Sequence, residues 1–184
     1  SGIRSRELGG GRGNHLVLDD TQGKIQAQLR SDHQASQLSV GHIGRIEDTA
    51  GRKEPRGQGF ELRTDGHGVL RAARGLLVTT ETRANAQAHT TDMGETVARL
   101  TQGRDLHESL GDAARNANAH QAGDQDEVAR GLKEQIDAIK GQGGNREQGE
   151  FPEFQEPHLT LASPAGIQTT ALASTHIVSV EHTA

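Results

Sequence analysis

Gly59-Phe60-Glu61-Leu62-Arg63-Thr64-Asp65-Gly66-His67-Gly68-Val69-Leu70-Arg71-Ala72-Ala73-Arg74-Gly75-Leu76-Leu77-Val78-Thr79-Thr80 is the stretch on which the fold turns. Phe60, Leu62 and Thr64 fall on one face of an extended segment and Glu61, Arg63 and Asp65 on the other, the alternation of a strand with one dry side. Asp65-Gly66 is a pair that tolerates positive φ in a tight turn. The β-prone run Leu76 to Thr80 follows a second break at Gly75. The stretch therefore reads as short strand, glycine turn, short strand.

Upstream the same grammar repeats. His15 to Leu18 is a strand, Asp19 to Gly23 a turn, and Ile25, Ala27 and Leu29 alternate with Gln26, Gln28 and Arg30, which makes a hairpin with one polar face. Leu38 and Val40 open a further strand that ends near Gly41 or Gly44. Residues 47–58 carry almost no apolar side chain and read as a solvated loop. Residues 1–13, with five glycines and three arginines, read as a linker from an upstream domain. The first β region is 14–90.

The period changes at Thr91. Met93, Val97, Leu100, His107, Leu110, Ala114 and Ala117 recur at helical intervals, and Asp92 with Glu95 resembles a capping box. Val128, Leu132, Ile136 and Ile139 trace a second amphipathic face, with Asp124 and Glu127 at its start and Gly141 as its stop. Gly94, Gly103 and Gly111 each cost about 1 kcal/mol relative to Ala inside a helix, which weakens the case for one unbroken first helix. Residues 91–141 thus form a helical hairpin insertion. Residues 142–157 are a glycine- and glutamate-rich linker, and 158–184, with Leu159, Leu161, Ile167, Ile177, Val178 and Val180, return to β character as a second, truncated shaft segment.

Composition bounds the function. Leu, Ile, Val and Phe make up 35 of 184 residues, aromatics are 2%, and there are 24 glycines, so a single copy has a thin core. The fold class expected is mainly β: a short-strand oligomeric shaft, β-helix or β-prism-like, with the α-helical hairpin inserted, its apolar faces covered by sister chains or stacked neighbours. The net charge of -5 and the lack of aromatic platforms argue against nucleic acid as a partner, and no stretch is long and apolar enough for a membrane span. Cysteine is absent, so there is no disulfide framework.

The ten histidines and the acidic clusters carry only fragments of reactive motifs. His107-Glu108 begins like a zinc-protease helix, but Gly111 stands where the second histidine is needed. His15, His42, His67, His158, His176 and His182 read as surface or subunit-contact side chains near strands and turns. Asp124-Gln125-Asp126 fails as a calcium loop because Val128 and Gln135 occupy ligand positions. Adjacent Asp19 and Asp20 point to opposite faces of a strand and read as turn residues. Ser39 has Gln37 before it and so lacks the nucleophile elbow. No catalytic, cofactor-binding or metal site is expected, and no cofactor.

Phe60-Glu61-Leu62-Arg63-Thr64-Asp65-Gly66-His67-Gly68 followed by Leu70-Arg71-Ala72-Ala73 resembles the signature segment of VgrG spike proteins of bacterial type VI secretion systems, at the approach to their uncharacterised C-terminal extension. Residues 13–20, 36–42 and 157–167 are similar to the same family. The resemblance implies a homotrimeric β spike with an upstream base on the Hcp tube, a PAAR-type tip downstream, and toxic effectors bound near the C-terminal region. It implies residence in the bacterial cytoplasm before firing and delivery into a target cell afterwards. Two other readings stay open: a phage tail or adhesin fibre of similar build, and the non-catalytic part of a spike with a hydrolytic extension.

Overall fold

The computed structural model describes residues 1–47, 51–119 and 124–179. The chain forms two units, Ser1–Leu70 and Arg71–Ala184.

The first unit is a five-stranded antiparallel meander of β1 (Gly2–Arg4), β2 (Asn14–Asp19), β3 (Gln26–Ser31), β4 (Ser36–Glu47) and β5 (Gly51–Arg63), paired in sequence order. The hairpin predicted around Asp19 to Gly23 is present, with Leu16 opposite Leu29 and Leu18 opposite Ala27. Asp19 anchors its turn by accepting from the Thr21 amide at 3.0 Å and the Thr21 hydroxyl at 2.6 Å.

Two stretches expected to be irregular are ordered here. Residues 1–13 form a β arm: β1 pairs with β2, and the ladder continues through Ser5 N–H to Asn14 O and Glu7 N–H to Arg12 O. Residues 51–58, part of the expected loop, belong to β5 and pair with the far end of β4, while 48–50 lie outside the described residues. Pairing there needs no apolar side chains, because the backbone ladder and the Arg52–Asp19 ion pair hold it, and Pro55 sits at a register shift where a missing N–H is tolerated.

The opening stretch is corrected in one respect. Chain direction changes at Asp65-Gly66, yet no hairpin follows; the glycines with positive φ are Gly59, at 116°, and Gly75, at 129°, and an added Cβ at Gly75 would lie 2.6 Å from the Phe154 ring. Residues 67–70 form no strand, and β6 (Leu76–Thr79) pairs not with β5 but in parallel with β7 (Leu159–Ala162).

Between β6 and β7 lies the predicted hairpin, as α1 (Gly94–Asn116) and α2 (Asp124–Lys140). Helix α1 is unbroken despite its glycines. Gly111 is buried where α2 comes closest, and an added Cβ there would meet the Gln125 Cβ at 3.0 Å. The seam accordingly drifts off the predicted stripes: Leu110 and Val128 are exposed, while Gly111 and Ala129 are buried. Asp92 accepts from the Gly94 amide at 2.9 Å, but Glu95 turns to Arg83 instead of closing a capping box. The expected cap at Asp124 falls on a side chain outside the described residues. Gly141, at φ 60°, stops α2 as expected.

Residues 142–157 are no free linker. Phe154 is buried with Met93 and Ile139, flanked by Leu77, Val97 and Leu100, in the small core of the second unit. An aromatic side chain inside a polar segment is the strongest apolar anchor available there, and it outweighs the glycines around it. Beyond β7, Ile167, Ile177 and Val178 are exposed and form no strand, since a strand needs a partner ladder that the described residues of one copy do not supply; Val180 and His182 lie outside the described residues.

Candidate interaction surface

Strand pairing places Leu16, Leu29, Leu38 and Leu62 in one row across the first unit and Leu18, Ala27, Val40 and Phe60 in the next. Elementary patterning predicts that this face is dry. In one copy it is the opposite: its leucines, Val40 and Phe60 are between 41% and 78% exposed.

The buried face is polar. Ser39 is fully buried, with Gln26 and Gln28 nearly so. Gln28 donates to Ser39 Oγ at 3.0 Å, and its Oε1 lies 2.8 Å from His15 Nε2. Gln26 satisfies both backbone groups of Gly44, donating to its carbonyl at 3.2 Å and accepting from its amide at 2.9 Å. Gln37 donates to Glu61 at 2.9 Å. Gln26, Gln28 and Ser39 hold their geometry because each is paired, an unpaired buried group costing about 1–3 kcal/mol, whereas Arg30 Nε on the same face is buried without a hydrogen-bond partner among the described residues. Hydrogen bonds from Arg56, then Gln37, hold the Glu61 carboxyl below its usual range. The Asp19 carboxyl is lowered first by its Thr21 hydrogen bonds and then by Arg52.

The second unit has a separate polar cluster where the chain enters α1. Arg83 donates to Glu95 at 2.7 Å and pairs with Asp92 at 3.3 Å, and Arg99 pairs with Glu81. Glu95 is held down to about 2, chiefly by Arg83. His89 stacks on Phe151 with ring centroids 4.0 Å apart and contacts Glu153 at 2.8 Å. These contacts join the two connections that flank the hairpin.

The histidines are placed apart. His107 contacts Gln125 at 2.7 Å, His176 lies 3.0 Å from Ser174, and His158 Nε2 is buried without a partner among the described residues. No group of three metal-ligating side chains occurs among the described residues. No helix among them is long and apolar enough to cross a membrane. Sequence reasoning missed the β arm and the Phe154 anchor; a lone phenylalanine in a polar segment was the available signal for the second.

The first unit thus presents a continuous apolar sheet face, and the second carries a helical hairpin inserted between two strands. The chain belongs to the family of type VI secretion system Rhs elements, Vgr, whose sequence profile matches residues 6–114. It is 39% identical over 182 residues to the type VI secretion system spike protein VgrG2b of Pseudomonas aeruginosa, covering 99% of this chain and 17% of that protein. It is 40% identical over 167 residues to VgrG2a of the same organism, covering 91% of this chain and 19% of the relative. The chain thus spans less than a fifth of either relative. Two solved structures share the fold: a VgrG spike with bound Tle1 effector, with TM-score 0.70 and 23% identity over the whole of this chain and 49% of that one, and a VgrG spike alone, with TM-score 0.65 and 25% identity over 98% and 60%.

Proposed function

We propose that this chain is a section of a homotrimeric puncturing spike, in which three copies close their apolar sheet faces against one another. The single observation that carries this reading is the exposed row Leu16, Leu29, Leu38, Leu62 with Val40 and Phe60 beside it. Fully burying a large apolar side chain is worth about 1.5–3 kcal/mol, so six give on the order of 10 kcal/mol. That is comparable with an association cost of about 4–15 kcal/mol. The open edges of the β6–β7 pair and the strandless apolar residues 167–178 accept strands from sister copies in the same way, continuing a β-prism or β-helix shaft.

The spike's role is mechanical and not catalytic. An upstream region seats on the Hcp tube, a PAAR-type protein closes the tip, and the spike passes from the bacterial cytoplasm into a target cell with its effectors. The hairpin stands on the outside of the shaft and docks effectors, which is supported by the exposed Leu106 and Leu110 on α1. The uncharacterised C-terminal extension lies further along the same shaft.

Light scattering at micromolar concentration tests the assembly, with the mass of three copies expected; a monomer mass sinks the reading. Replacing Asp92 to Lys140 by a short glycine-serine linker is expected to remove the helical circular dichroism and leave the trimer. Monomers after that deletion would place the helices at the subunit contact instead.

A further inference from the structure

The arm of residues 1–13 ends in a feature that one copy does not use. Leu8 is 103% exposed at the turn Glu7–Gly10, closed by Gly10 N–H to Glu7 O at 3.4 Å. Its stem is held firmly. Besides the ladder bonds, the Arg12 amide donates to Glu7 Oε1 at 3.1 Å, the Gly13 amide donates to Asp32 Oδ2 at 2.9 Å, and the Asn14 amide donates to Ser5 Oγ at 3.3 Å. Glu7 and Arg12 also pair at 3.0 Å, so the residues beside Leu8 largely neutralise each other. Leu8 is thus a large apolar side chain on a fixed stem, followed by three glycines that leave it open to contact.

The same unit contains a receptor of matching chemistry. A groove of about 830 Å³ runs beside the apolar sheet face, with Leu29, Leu38 and Leu62 on one wall and Val69 and Leu70 on the other. Its volume lies within the ~300–1,000 Å³ of ordinary binding clefts. Val69 and Leu70 are at least 70% exposed, so the groove is open in one copy.

Position links the two. Asn14, Ser31 and Ser36 are register partners at one end of the sheet, and all three line the groove; Arg63, paired with Gln37, ends β5 at that level. The arm projects past that same end, because its ladder continues beyond Asn14. At about 3.3 Å per residue, the four residues from Asn14 back to Gly10 reach about 13 Å. The arm lies at the β1 edge of the sheet and the groove toward the β5 edge.

We infer that the Leu8 tip of each copy seats in the Leu29–Leu62–Val69 groove of the next copy. Resting on the trimer reading, this adds a directional contact to it. The surfaces are unlike, so the contact is heterologous, and it closes into a ring when the rotation axis is inclined to the strands, which brings the projecting tip of one copy down to the level of the next copy's groove. The groove opens onto the apolar face that the trimer covers, so the tip extends that interface around its rim.

The chain contains no cysteine, which makes a covalent test clean. In a chain carrying both Leu8→Cys and Val69→Cys, mild oxidation is expected to give a covalent species of three chains on a denaturing gel. Either single variant can link two chains at most. Leu70→Cys in place of Val69→Cys covers a one-residue error in register, since a disulfide needs Cα atoms within about 7 Å. A three-copy mass with no three-chain covalent product from either pair overturns the tip contact and leaves the trimer standing. A monomer mass before oxidation overturns both.

Discussion

The two units solve the same shortage of apolar residues in opposite ways. The helical unit concentrates what it has: Met93, Ile139 and Phe154 are each no more than 7% exposed, and Leu77, Val97 and Leu100 close around them. The sheet unit turns Gln26, Gln28 and Ser39 inward, with Ile43, and leaves most of its large apolar side chains outside. Its inner layer of Gln26, Gln28 and Ser39 supplies geometry more than driving force, because the net gain from a hydrogen bond is only about 1 kcal/mol. The difference teaches where stability resides. Helical stability is internal to one chain, whereas the proposed trimer predicts a sheet stability that rises with protein concentration, as when folding is coupled to association.

The sharpest way to break this comparison is to charge the exposed sheet face. Phe60→Asp with Leu62→Asp is predicted to reduce the assembly to monomers by light scattering and to leave the helical circular dichroism unchanged; a trimer that survives both carboxylates would remove the apolar face from the interface. Next in size, Phe154→Ala is predicted to cost the helical unit about 3–5 kcal/mol, the usual range for emptying a buried phenylalanine site. The helical melting transition should fall while the three-copy mass persists, and a trimer lost along with it would mean that the units are not independent.

Gly111→Val is predicted to cost about 1–3 kcal/mol through overpacking, since even its Cβ would lie 3.0 Å from that of Gln125. A value near zero in a helical melt would show that α2 can move away freely. The smallest effect is electrostatic. Glu95 is lowered in the folded chain from 4.5 to about 2, so its contribution is present above pH 4.5 and is lost as pH falls toward 2. Glu95→Gln should flatten that part of the stability profile of the helical unit, and an unchanged acid limb would assign it to other carboxylates. The side chain is 39% exposed, so solvent screening keeps the effect modest.

Elements whose signal is periodic were legible. The β2–β3 hairpin, the two helices and the stop at Gly141 follow from alternation, from three-to-four spacing and from a glycine able to take positive φ. Elements held by backbone ladders were not. Residues 51–58 pair with β4 although they offer no apolar pattern, and the arm at 1–13 is glycine-rich, as a linker would be. The alternation of Phe60 and Leu62 announced an apolar face, but that face is exposed in one copy, because a period of two is silent on whether any covering layer belongs to the same chain. Phe154 was lost inside a segment whose average composition is polar.

The parallel pairing of β6 with β7 carries a consequence for the order in which the molecule comes together. Leu76 meets Leu159 across a chain separation of 83 residues, the same as that between Thr80 and Ser163, whose hydroxyls bond at 3.0 Å. Closing a flexible loop of that length costs about 4 kcal/mol by the (3/2)RT ln n rule, and four rungs recover little of it. Formation of α1 and α2 first, and capture of Phe154 between them and Gly75, shortens the gap that must be closed. The ladder is then expected to be the last part of the second unit to form, after the hairpin has folded.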